Sequence, residues 1–150
     1  IHGASYGGYA VMAGITKTPD MYKCAVNYVG VTDMKLMFSE RPKVWEIWDE
    51  QQKIEAGDYS NEKDYLDDVS PINMVDQIKT PLYIVHGKLD WRVDIKHAQV
   101  LKKELIKAGK KEGEDFWWMV KGDEGHGFVK EANKLELYTE LEKFYATYLD

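Results

Sequence analysis

Ser5 stands in Gly3-Ala4-Ser5-Tyr6-Gly7, a G-x-S-x-G pattern in which a serine sits on a tight turn between a strand and a helix. Glycines there leave room for a strained backbone, and the turn lifts the hydroxyl toward a substrate. A serine hydroxyl is unreactive at its own pKa, so a histidine must take its proton during attack and an acid must hold that histidine. Where a sheet-and-helix scaffold carries such a site, the chain order is serine, then aspartate or glutamate, then histidine. Asp90 follows the apolar run ending at His86, and His126 follows the run ending at Val120, so both partners occur in that order. Ser5, Asp90 and His126 are therefore the expected catalytic residues. The backbone N–H of Tyr6 is expected to donate to the oxyanion, with the second donor outside this chain.

Other residues compete for these roles. Asp33 and Asp94 are alternative acids, but loop aspartates commonly cap helices, and only Asp90 directly follows the His86-Gly87 strand end. His2 and His86 lie beside glycines at strand ends and His97 lies inside a helix, so each reads as structural. Asp123-Glu124 beside His126 reads as a solvated acidic turn, because no H-x-x-x-H or H-E-x-x-H spacing exists, and no metal is expected. Serine chemistry of this kind needs substrate and water, with no cofactor.

The elements that must position these residues follow from periodicity. After the turn, Ala10, Val11, Ala13, Gly14 and Ile15 suit a buried helix that closes before Thr18-Pro19-Asp20. Residues 24–29 read as a short buried strand. From residue 31 to about 68, Met34, Met37, Phe38, Trp45, Trp48, Tyr59 and Tyr65 are spread among acids and lysines. That stretch predicts helices and loops above a sheet, with the aromatic and Met side chains lining a pocket or filling core. Ser70-Pro71 has the form of a helix start, and Ile72, Val75 and Ile78 give one short apolar face before Thr80-Pro81. Residues 82–85 form the next expected strand, and Ile95, Ala98, Leu101 and Leu105 mark a helix that Gly109 ends. Residues 116–120 read as a further strand, and Leu137, Leu141, Phe144 and Tyr148 as the stripe of a last helix packed on the sheet. Strand and helix alternate, the α/β pattern of a mostly parallel sheet flanked by helices.

Composition narrows the function classes. A chain of 150 residues, 44% hydrophobic, can bury one sizeable core, and no repeat or Gly/Ser linker divides it. The net charge of −6 arises from acids and bases mixed along the chain, which argues against a nucleic-acid-binding face and offers no polybasic membrane patch. No apolar stretch approaches the roughly 20 residues of a membrane helix. Cys24 is the only cysteine, so an intramolecular disulfide is excluded, and its apolar neighbours predict a buried thiol.

Three blocks resemble the prolyl oligopeptidase family of serine peptidases: G-A-S-Y-G-G-Y-A at residues 3–10, S-P-I-N through P-L-Y-I-V-H-G-K-L-D-W-R-V at residues 70–93, and D-E-G-H-G-F at residues 123–128. The Tyr-Gly-Gly continuation and the Glu-Gly-His-Gly-Phe block are much narrower than G-x-S-x-G alone. The likeness leans toward the acylaminoacyl-peptidase and dipeptidyl-peptidase branches. It implies the C-terminal portion of an α/β-hydrolase fold and hydrolysis of short peptides through an acyl-enzyme. It also implies that Tyr6, Met34, Phe38 and Val93 line the pocket for the residue before the scissile bond. Asp94 departs from the proline common in the family after R-V, and Trp91 is also unusual there.

Ile1 stands directly against His2-Gly3-Ala4-Ser5, so residues 1–150 are expected to be a partial catalytic domain, with its first strands upstream. The resemblance places any β-propeller upstream as well. A truncated sheet edge predicts pairing with the remainder of the polypeptide or with a second copy as a dimer, besides the peptide substrate. Two other readings stay open: a carboxylesterase of the same fold, and a catalytically incomplete piece with only a structural part.

Overall fold

The computed structural model describes residues 1–56, 58, 61 and 63–149; Tyr59, counted above in the aromatic segment, lies outside the described residues. The elements are β1 (His2–Ala4), α1 (Tyr6–Lys17), β2 (Ala25–Tyr28), α2 (Met34–Glu40), α3 (Asp49–Ala56), α4 (Lys63–Asp68), β3 (Leu82–Gly87), α5 (Lys96–Lys107), β4 (Phe116–Lys121) and α6 (Glu131–Leu149). Two 3-10 helical segments, Lys43–Trp48 and Pro71–Gln77, precede α3 and β3.

The strands form one parallel sheet in the order β1-β2-β3-β4. Its register sets His2 opposite Val26, Val26 opposite Tyr83, and Tyr83 opposite Trp117. Because side chains alternate along a strand, β2, β3 and β4 each feed two cores. Leu82 and Ile84 of β3 join Ala25 and Phe116 against Val11, Met12 and Ile15 of α1 and Leu101 and Leu105 of α5. Tyr83 and Val85 join Val26 and Met119 against Leu137, Leu141 and Phe144 of α6. All of β3 is buried, which explains its unbroken apolar run: with helices on both faces neither side meets water. Each such aliphatic side chain contributes about 1.5–3 kcal/mol on burial, enough to fix strand register. Among the described residues no helix is long and apolar enough to cross a membrane.

Three local expectations change. The segment after Ser70 is a 3-10 helix broken at Met74 (φ −126°, ψ 21°), not an α-helix started by a serine cap. Ser70 makes no cap bond because its hydroxyl is committed elsewhere: Oγ donates to Leu66 O at 2.6 Å and accepts the Met34 N–H at 2.8 Å. The sequence offers too few residues ahead of Ser5 for the strand such a turn requires, yet His2–Ala4 form β1 by pairing in parallel with β2. Trp48 and Tyr65, expected in a pocket or core, are exposed. For Trp48 the reason is that its 3-10 segment packs on α3, outside both core layers.

Candidate active site

Ser5 occupies the junction of β1 and α1 with φ 57° and ψ −121°, a left-handed backbone rarely adopted by a residue with a side chain. Its N–H donates to Tyr28 O at 3.0 Å, and its carbonyl accepts the Gly8 and Tyr9 N–H groups at 2.9 and 3.2 Å. Those bonds hold the strained turn. The side chain makes no cap bond, which leaves Oγ turned toward His126. A Cβ on Gly3 would meet the Gly7 carbonyl oxygen at 2.2 Å, so the strand and helix approach closely only because Gly3 has none. At Gly7 an added Cβ would meet nothing within 4 Å, so of the two glycines of the G-x-S-x-G pattern the steric requirement falls on Gly3.

Asp90 and His126 come from the loops after β3 and β4. His126 Nε2 lies 2.9 Å from Ser5 Oγ, and His126 Nδ1 lies 2.8 Å from Asp90 Oδ2. The other carboxylate oxygen of Asp90 accepts the N–H groups of Arg92 and Val93 at 2.9 and 3.0 Å. A buried carboxylate is costly unless it is paired, and here both oxygens have partners. Gly87 makes the meeting possible. A Cβ there would come 2.2 Å from Gly125 O and 2.5 Å from Glu124 O, so the histidine loop closes over the end of β3 only because that position is bare. The structure thus brings Ser5, Asp90 and His126 together in a chain of hydrogen bonds. Asp33 and Asp94 accept N–H bonds from Leu36 and Lys96 at the starts of α2 and α5 and lie outside that chain.

Glu124 corrects the sequence reading of a solvated acidic turn. It is buried, and its carboxylate accepts N–H groups from Val129 (2.8 Å), Lys130 (2.9 Å) and the Asn133 side chain (2.8 Å) at the start of α6. Burial opposes its ionisation, but the hydrogen bonds outweigh it and hold the carboxyl below the usual glutamate range. The Glu124 carbonyl also accepts the Leu89 N–H at 2.8 Å, tying the histidine loop to the residue before Asp90. Asp123, by contrast, lies at the surface with Lys130 Nζ at 2.7 Å.

His86 is fully buried, donates from Nε2 to Val93 O at 2.9 Å, and lies 3.5 Å from Asp90 Oδ2. It supports the acid loop, a role beyond the strand-end packing read from sequence; its four-residue spacing from Asp90 was the available signal. Burial lowers its pKa. His97 is buried in α5, where its Nδ1 accepts the Thr32 N–H at 3.2 Å. Burial, and after it the neighbouring His86, pushes its pKa down to about 4.

Beside Ser5 opens a cavity of about 270 Å³. Tyr6, Met34, Phe38 and Val93, named from the sequence, line it. So do Met37 and Trp45, read from the sequence as pocket lining or core, and Tyr9, Val31, Arg41 and Gln52, which the sequence did not single out for the site. Arg41 brings charge to this wall, and that charge is compensated: Nη2 lies 2.7 Å from Asp49 Oδ1, and Nη1 donates to Gln52 Oε1 at 3.1 Å. The cavity surface is otherwise mostly apolar. The backbone N–H of Tyr6 stands in the first turn of α1, where N–H groups have no intrahelical acceptor.

Residues 1–150 match the model of the prolyl oligopeptidase family. The dipeptidyl aminopeptidase BIII of Pseudoxanthomonas mexicana is 35% identical over 148 residues, covering 97% of this chain and 21% of that protein. The dipeptidyl peptidase family member 6 of Caenorhabditis elegans is 29% identical over 147 residues, covering 96% of this chain and 19% of that protein. The chain therefore spans about a fifth of the length of these two curated relatives. Among solved structures, the uncomplexed Pyrococcus horikoshii acylaminoacyl peptidase superposes with a TM-score of 0.85 at 21% identity, over 97% of this chain and 23% of its own. That likeness is one of fold: this chain has the parallel sheet and flanking helices of an α/β-hydrolase fold.

Proposed function

The chain belongs to the prolyl oligopeptidase family, and on that footing we propose that it is the C-terminal catalytic portion of a serine peptidase that hydrolyses short peptides through an acyl-enzyme. The observation that carries the reading is the imidazole of His126, poised 2.9 Å from Ser5 Oγ on one side and 2.8 Å from Asp90 Oδ2 on the other.

Ser5 Oγ attacks the scissile carbonyl carbon while His126 Nε2 takes its proton, so the nucleophile bonds as it loses hydrogen. Asp90 accepts the Nδ1–H, holds that tautomer and stabilises the imidazolium. The Tyr6 N–H donates to the oxyanion. When the tetrahedral intermediate collapses, the C–N bond breaks and His126 returns its proton to the leaving amine. Water then enters on the same base, hydrolyses the acyl ester and restores Ser5. Met34, Phe38 and Val93, with Tyr6 at the rim, hold the side chain before the scissile bond. The apolar lining and the compensated charge of Arg41 favour an apolar side chain there.

The outer edge of β1 has no partner among the described residues. An open edge presents unpaired backbone groups, so it accepts a further strand, from the remainder of the polypeptide or from a second copy.

A fluorophosphonate probe applied to the intact polypeptide labels Ser5, and Ser5→Ala abolishes the labelling; undiminished labelling of the variant refutes the assignment. Aminoacyl anilides with a large apolar residue are turned over more efficiently than simple acyl esters. The reverse order makes the protein an esterase.

A further inference from the structure

We propose that Tyr28 is a positioning residue that sets the spacing between the nucleophile turn and the histidine loop, an inference that rests on the triad reading above. Tyr28 is the last residue of β2, and its two polar ends reach different loops. Its carbonyl oxygen accepts the Ser5 N–H at 3.0 Å. Its side-chain hydroxyl oxygen accepts the Phe128 N–H, two residues beyond His126. The ring also meets Phe128 edge-on, with centroids 5.4 Å apart and planes at 84°. One rigid side chain therefore spans from the backbone that holds Ser5 to the backbone that carries His126.

The anchor itself cannot drift. Tyr28 pairs with Ala4 on one side and Val85 on the other. The next residue, Val29, is held at φ 47°, a strained value for a β-branched residue, with its N–H donated to Val85 O at 2.8 Å. The loop it holds turns sharply: His126 is followed by Gly127 at φ 99°, a conformation that residues with side chains rarely adopt. Ser5 and His126 are 121 residues apart in the chain, so their 2.9 Å contact depends on whatever fixes the loop from outside. Glu124 fixes its base to α6, and Tyr28 fixes its far side to the sheet. Burial raises the Tyr28 pKa, so the group stays a neutral phenol across the working range of a histidine base.

Tyr28→Phe in the intact polypeptide separates positioning from packing, because it keeps the ring against Phe128 and removes only the oxygen. Loosening a reacting pair by a fraction of an ångström lowers the chemical step without touching the substrate cavity, so kcat is expected to fall roughly tenfold with KM within about twofold. The rate of fluorophosphonate labelling falls in parallel, the Phe128 amide exchanges faster, and Tm moves by no more than roughly 2–4 °C. Wild-type kcat in Tyr28→Phe, or a loss matched by unfolded protein and recovered on cooling, overturns the inference. Ser5→Ala runs beside it: a silent Ser5→Ala with a wild-type Tyr28→Phe sinks only the positioning role, whereas an active Ser5→Ala sinks the triad reading with it.

Discussion

The Nδ1 atom of His126 stands 2.8 Å from Oδ2 of Asp90, whose side chain is fully buried. Asp90→Asn tests what that contact does. The amide oxygen can still accept the Arg92 and Val93 N–H groups, so the loop keeps its shape. The amide nitrogen then faces His126 and favours the tautomer with the proton on Nε2, where it cannot take the Ser5 proton. A fall in kcat of about 10³–10⁴ is expected with Tm nearly unchanged. Activity within tenfold of wild type would contradict the role.

Gly87→Ala examines the closure of the histidine loop. The added methyl would lie 2.2 Å from Gly125 O and 2.5 Å from Glu124 O, both backbone atoms that cannot turn aside as a side chain would. The loop must move and take His126 with it. Overpacking of this kind costs roughly 1–3 kcal/mol, while displacing a base by about 1 Å costs on the order of 10² in rate. Activity should therefore fall much further than stability. Gly122→Ala is the control in the same loop, since a Cβ there meets nothing within 4 Å.

What could be read from the sequence follows from how local each cause is. The steric demand of one turn leaves its mark on adjacent residues, which is why Gly3 and Ser5 stand out. Asp90 and His126 are marked by their place after apolar runs, and the alternation of strand and helix predicts the parallel sheet. The far wall of the cavity has no such signature. Arg41 is compensated by Asp49 and Gln52 of α3, and the Pro42 break and the 3-10 segment between them leave no single period that relates Arg41 to that helix. Ser70 looks like a helix cap until Leu66 and Met34, distant in sequence or in role, take its hydroxyl. Glu124 looks solvated because its donors come from the start of α6, five to nine residues on, and only the fold folds them back.

His97 predicts a pH dependence of stability. Its folded pKa is about 4 against an ordinary 6.5, so between those values the unfolded chain binds a proton that the native state refuses. The stabilising contribution is whole above pH 6.5 and is lost as pH falls toward 4, at up to roughly 1.4 kcal/mol per pH unit. His86, with a pKa also lowered by burial, adds to the same slope. Asp94, Asp90 and Glu40 lie near enough to His97 to moderate it. His97→Gln can still accept the Thr32 N–H but does not titrate. Urea midpoints measured from pH 7 to 4.5 should fall less steeply in that variant, and an unchanged slope would remove His97 as the source.

Glu124→Gln is the sharpest test of how the histidine loop is held, because it changes charge with almost no change in volume. The carboxylate accepts three N–H donors, and an amide in its place has one oxygen to share and turns an N–H₂ group against the others. Hydrogen bonds to a charged acceptor are stronger than neutral ones, so about 2 kcal/mol of stability should be lost at pH 7. The sign of the pH effect separates this from a packing defect. Glu124 has a folded pKa below the ordinary 4.5, so its contribution is present above that value and disappears as pH drops through the lower one. Wild type and Glu124→Gln should accordingly differ in urea midpoint at pH 7 and converge as the pH falls below 4.5. A gap that persists undiminished at low pH would mean that the carboxylate charge is not what binds the loop to α6.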